Sequence, residues 1–98
     1  MYQINLTSPI HEISEMVNIY GTTNINGVEK NIVCSITYEF LQDINNGSIE
    51  YSETIDSNRL AIENIAEDKL NALLEEELQR EPIRVMIISS DRLNYGWE

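Results

Sequence analysis

Few residues in this chain could do chemistry, and their spacing argues against most of it. His11-Glu12, followed by Ser14-Glu15, opens like the zinc-protease helix motif, but the second histidine is missing and His11 is the only one present. A zinc site built on it would need carboxylates and Cys34 gathered from elsewhere. A surface histidine ahead of a strand is the expectation. Asp43-Ile44-Asn45-Asn46-Gly47 looks like the start of a calcium loop. With Asp43 as first ligand, however, glycine falls at the fifth position rather than the sixth, and the twelfth is Thr54 instead of a bidentate glutamate. A turn accounts for those residues better. Gly21-Thr22-Thr23-Asn24 has neither the glycine spacing nor the lysine of a phosphate loop. A serine or cysteine nucleophile would need His11 as its base, and Cys34 lies on the apolar side of an alternating stretch, where it reads as a small buried hydrophobe. Carboxylates are too plentiful to single out an acid–base pair. The reading is non-enzymatic, with no catalytic residue, metal site or cofactor.

The charge is the unusual quantity. Ninety-eight residues carry a net charge of −11, in a length that fits one domain over residues 1–98 with a modest core. Eight acids and three bases fall within residues 56–81, so nearly half of the excess sits in about a quarter of the chain. The six bases (Lys30, Arg59, Lys69, Arg80, Arg84, Arg92) are scattered, which disfavours direct binding to nucleic acid or to an anionic membrane. No stretch reads as a secretory leader or a membrane span. The lone Cys34 suits a reducing cytoplasm. Abundant isoleucine and asparagine hint at an AT-rich bacterial or phage genome.

Residues 57–81 supply the element around which the rest must be arranged. At 100° per residue, Ile62, Ile65, Ala66, Leu70 and Leu73 share one broad face, edged by Leu60, Leu74 and Leu78. Asn64, Asp68, Asn71, Glu75 and Gln79 form the opposite stripe. The spacing predicts one long amphipathic helix, with Asp56, Ser57 or Asn58 as N-cap and Pro82 as the stop. Glu75, Glu76, Glu77 and Glu81 then crowd its last turns, against the helix dipole, with Arg80 placed to pair with Glu76.

Ahead of it, alternation predicts short strands: residues 2–7, a stretch over 13–25 interrupted by Gly21, then 32–40 with Ile32, Cys34, Ile36, Tyr38 and Phe40 on one face. Pro9 suits an edge, and Gly21 suggests a bulge or a close backbone approach. Asn26-Gly27 predicts a type I′ turn, and Asn46-Gly47 a second turn, leading into a strand with Ile49, Tyr51 and Ile55 on one face. Glu53 sits awkwardly on that same face. Residues 83–89 read as a strand apolar on both sides, covered twice or buried by a second subunit. The expected fold is therefore α+β: an antiparallel meander packed by one long amphipathic helix, with a returning C-terminal strand, in a two-layer sandwich.

This order of elements resembles SecB-like chaperone subunits, although no motif matches residue by residue. From the residues, the expected function is a small acidic protein that occludes a basic protein surface, in the limit a phage-encoded inhibitor or nucleic-acid mimic acting in a bacterial cytoplasm. Its partner-binding candidates are Asp68, Glu75, Glu76, Glu77 and Glu81, with Tyr95 and Trp97 as aromatic anchors. The alternative is a structural or assembly subunit of a homo-oligomer that pairs through edge strands or the apolar final strand.

Overall fold

A computed structural model describes residues 1–44 and 50–94. It is a mixed α+β fold in the order β1 (Ile4–Ile13), β2 (Met16–Ile25), β3 (Val28–Thr37), α1 (Tyr38–Ile44), α2 (Tyr51–Ser57), α3 (Arg59–Asn71), α4 (Glu75–Leu78), β4 (Ile83–Ile87) and α5 (Asp91–Asn94). The strands form one sheet in the order β1-β2-β3-β4. The first three are an antiparallel meander, and β4 returns parallel to β3.

Local chemistry explains the meander. At the β2–β3 turn, Asn26 and Gly27 both take positive φ (52° and 88°), as a type I′ turn needs, and Asn24 Oδ1 accepts a bond from Gly27 N–H at 2.8 Å. Strand β1 runs further than the alternation of residues 2–7 predicts. It passes through Ser8-Pro9 with a register shift between Thr7 and Ile10, and it lies on the sheet edge, where a proline is tolerated. Gly21 marks a close approach and not a bulge. A Cβ there would overlap the Asn5 carbonyl oxygen and come within 2.9 Å of Leu6 Cα.

Five expectations fail, each for a readable reason. Residues 57–81 are not one helix. After Asn71 the chain tightens, with Ala72 N–H and Leu73 N–H bonding to the Lys69 and Leu70 carbonyls three residues back, and Leu74 is extended (φ −72°, ψ 156°). The break removes the dipole conflict, because Glu75, Glu76 and Glu77 now occupy the first turn of α4, where carboxylates are favoured. Glu77 Oε1 accepts from Leu74 N–H at 3.0 Å, half of a capping box. The break also lets Leu78 enter the core while Leu74 stays exposed. The expected caps fail as well: the Asn58 side chain does not cap α3, and its Nδ2 donates instead to the Thr54 carbonyl of α2.

The expected strand through Tyr51 and Ile55 is helix α2. Tyr51, Thr54 and Ile55 lie at i, i+3 and i+4; Thr54 and Ile55 are buried, and Glu53 is exposed. The Asn46-Gly47 turn lies outside the described residues. Strand β3 ends at Thr37, so Tyr38 and Phe40 belong to α1 and do not extend the strand face. Finally, β4 is not covered on both sides. It alternates, with Ile83, Val85 and Ile87 buried and Arg84 and Met86 exposed.

A single apolar cluster joins Val17, Ile19, Ile32, Cys34, Ile36, Ile83 and Ile87 of the sheet to Phe40, Leu41, Ile55, Ile62, Ile65, Leu70 and Leu78 of the helices. Helix α3 packs against both β1 and β4. Lys69 Nζ meets Asp91 Oδ2 at 2.8 Å, and the same oxygen accepts from Ile88 N–H, which ties α5 to α3.

Candidate functional site

The sheet face turned away from this core is the surface that the fold leaves bare, and strand register orders its residues into rows. One end row runs Ile13, Met16, Thr37, with Ile88 next in line beyond β4. The next pairs Asn18, Ser35 and Met86, and the third Tyr20, Val33 and Arg84. Beyond them lie Asn5, Thr22 and Asn31, then Asn24 and Glu29. The face therefore grades from polar at one end to apolar at the other. Ile13 (44%), Met86 (46%) and Ile88 (42%) are large, exposed apolar side chains at the apolar end. A shallow depression there is lined by Ile13, Met16, Asn18, Ser35, Arg84 and Met86, and the Ser35 hydroxyl donates to Asn18 Oδ1 across its floor. A second depression carries the apolar surface past Thr37 and Ile88 to exposed Leu93, with Glu39 and Arg92 at its rim.

An aromatic clamp closes the neighbouring corner. Tyr38 and Tyr51 stack at 4.5 Å with rings 7° from parallel, Tyr38 Oη donates to Glu12 Oε1 at 2.7 Å, and Gln42 Nε2 donates to Tyr51 Oη. The Glu12 hydrogen bond, then desolvation and the negative charge of Glu12, push the Tyr38 phenol up from its usual value. The clamp fastens α1 and α2 to the end of β1. It reads as a structural device.

The structure does not gather the predicted acidic residues into one stripe. Glu81 Oε1 accepts from Asn31 N–H at 3.1 Å and fixes the approach to β4, while Glu77 caps α4. Glu75 accepts from Gln79 Nε2, and the expected Glu76–Arg80 pair is absent among the described residues. Glu75 and Glu76 remain exposed, as does Asp68, seven residues before Glu75 on α3. Tyr95 and Trp97 lie outside the described residues.

The other candidates have structural surroundings. Cys34 is fully buried, and burial pushes its thiol up to about 12 against a smaller opposing effect of the Lys69 charge. At neutral pH it is a thiol and a poor nucleophile. Asp43 accepts from the Ser89 hydroxyl and faces Arg92 Nε at 3.7 Å, joining α1 to α5. Among the described residues, no group of three or more His, Cys, Asp or Glu side chains converges as a metal site would require. None of their helices is long and apolar enough to cross a membrane.

Part of the bare apolar end is legible in the sequence, since Met86 and Ile88 lie on the second apolar side of residues 83–89, expected to be covered twice or buried by a second subunit; nothing local places Ile13 and Met16 beside them. Comparison with protein-family models, curated proteins and solved structures finds no match to this chain. None of the three supports the resemblance to SecB-like subunits, and the long helix in that order of elements is broken.

Proposed function

We propose that this protein acts by association and not by catalysis, as a subunit whose copies join through the bare side of the sheet. The observation that supports this is the apolar end of that face, where exposed Ile13, Met86 and Ile88 flank half-buried Met16 and Thr37. Patches of this kind, rimmed by polar groups such as Glu15 and Glu39 here, mark protein interaction surfaces. Cys34, the one cysteine of the sequence, has no second to pair with, which suits a reducing compartment such as the bacterial cytoplasm. Light scattering at roughly 50 and 500 mM salt tests the reading, because apolar association survives the screening of surface charge. The expected mass is at least twice the 11.3 kDa of one chain at both salts. A monomer at both would overturn the proposal.

A second reading keeps the acidic face as the working surface, pressed against a basic protein partner. It is favoured by Glu75 and Glu76, which are exposed and form no ion pair among the described residues. On this reading Glu75→Gln with Glu76→Gln should weaken capture of a basic protein at low salt by about tenfold, near 1.4 kcal/mol, with only a small fall in melting temperature from the two carboxylates lost at the start of α4. Unchanged capture would remove it.

A further inference from the structure

The two edges of the sheet are treated differently. Along β1, outward backbone groups are taken up by side chains of α3. Asn71 accepts from Tyr2 N–H at 2.8 Å and donates back to the Tyr2 carbonyl at 3.0 Å, Glu67 Oε2 accepts from Ile4 N–H at 3.0 Å, and Arg59 donates to the Leu6 carbonyl at 3.3 Å. Further along, β1 carries Pro9 and a register shift. Both are recognised ways of blunting an edge against pairing. Along β4, among the described residues, no hydrogen bond from a side chain or from backbone outside the sheet reaches Ile83–Ile87. Backbone groups without an internal partner must meet water or another chain.

From this asymmetry we infer that β4 pairs antiparallel with β4 of a second copy, with Val85 at the two-fold axis, joining the two sheets into one. The inference rests on the self-association reading and moves its contact from the sheet face to the β4 edge, beside Met86 and Ile88. Three features select a second copy as the occupant. The strand is self-complementary: reversed about Val85, Ile83 stands opposite Ile87 and Arg84 opposite Met86, so buried positions meet buried and exposed meet exposed. The aliphatic stem of Arg84 then lies along the methionine of the other copy, and no like charges stand directly opposite. Charge selects the same place, since residues 82–90 hold one base and no acid in a chain of net charge −11. Two copies repel over most of their surfaces, but not here. Closure is the third feature. An isologous pair leaves both β1 edges outermost, each sealed by its own α3, so assembly stops at two copies instead of running on as a fibre. Five paired residues bury little area, and the same register extends the contact by setting exposed Ile88 opposite Pro82 of the other copy.

The register is tested by disulfide trapping. Arg84→Cys and Met86→Cys both fall at exposed positions, so circular dichroism should show the fold retained. The two proteins are mixed, allowed to exchange and mildly oxidised; Cys34 is buried and takes no part. Opposed residues on paired strands lie within about 5.5 Å, inside disulfide reach, whereas each variant alone presents its two sulfurs on a diagonal of roughly 7–8 Å. The mixture should yield roughly tenfold more covalent dimer than either variant alone. A wild-type dimer whose variants link equally well mixed or alone would overturn β4 pairing while leaving self-association standing. A wild-type monomer by light scattering would overturn both.

Discussion

Leu41→Ala is expected to destabilise the protein by about 2–5 kcal/mol, the range for emptying a fully buried leucine site. Its neighbour Glu39 is exposed, and Glu39→Ala should cost less than about 0.5 kcal/mol. The contrast separates two folds. If β3 ran on to Phe40, as alternation suggests, residues 40 and 41 would point to opposite faces. Leu41 would then lie on the outer face, and its truncation would be mild. In the structure Phe40 and Leu41 are both fully buried, side by side in α1. The chain turns because Thr37 Oγ1 accepts from Phe40 N–H at 3.2 Å, the N-cap arrangement that ends the strand and starts the helix. Urea unfolding measures the result. A loss at Leu41→Ala below about 1 kcal/mol would restore the strand. Set against a whole-domain stability of roughly 5–15 kcal/mol, the expected loss is large enough to leave part of the population unfolded at room temperature.

How much of the fold was legible follows from which interactions are local. The Asn26-Gly27 turn is a two-residue decision about positive φ, and the alternation of Ile32, Cys34 and Ile36 is a face decision that tertiary packing only ratifies. The core face of α3 was legible for the same reason. What failed was the ends of elements. Tyr38 and Phe40 continue a strand pattern, and only the Thr37 cap, a side-chain competitor for backbone, says otherwise. Tyr51 and Ile55 satisfy period 2 and period 3.6 equally well. The misplaced Glu53 was the evidence for the helix, because on α2 it turns to solvent. The dipole conflict of Glu75, Glu76 and Glu77 likewise recorded a break: a helix boundary lies between Asn71 and Glu75.

The candidate site was less legible, because it is a property of the sheet's order. Ile13 and Met16 lie some seventy residues from Met86 and Ile88 in sequence, and only the parallel return of β4 beside β3 brings the two pairs into adjoining rows. The sealing of β1 is similarly invisible. Arg59, Glu67 and Asn71 read as polar residues on a helix, and nothing local says that they reach across to the backbone of residues 2–6. The acidic candidates failed in the opposite sense. Their clustering is plain in the sequence, but Glu77 and Glu81 turn out to serve the chain's own amides.

Gly21→Ala should be among the most damaging single changes, and it bears on assembly as well as on stability. Residue 21 pairs with Leu6 across the β1–β2 ladder, and the added Cβ would overlap the Asn5 carbonyl oxygen. That obstacle is backbone, so no rotamer change relieves it. Strand β1 must move outward. Overpacking of this kind costs about 1–3 kcal/mol where side chains can adjust, and here the cost should reach at least the upper part of that range. The displacement would also pull Tyr2, Ile4 and Leu6 from Asn71, Glu67 and Arg59, unsealing the edge that α3 protects. Amide exchange should therefore accelerate at Tyr2 and Ile4 more than at Ile32 or Cys34 in the sheet interior, and the variant should form species larger than any the wild type forms. A variant whose unfolding midpoint stays within experimental error of wild type would show that β1 and β2 are not in close contact at this point. A variant that is destabilised but forms nothing larger would show that the α3 side chains are not what keeps the β1 edge from pairing.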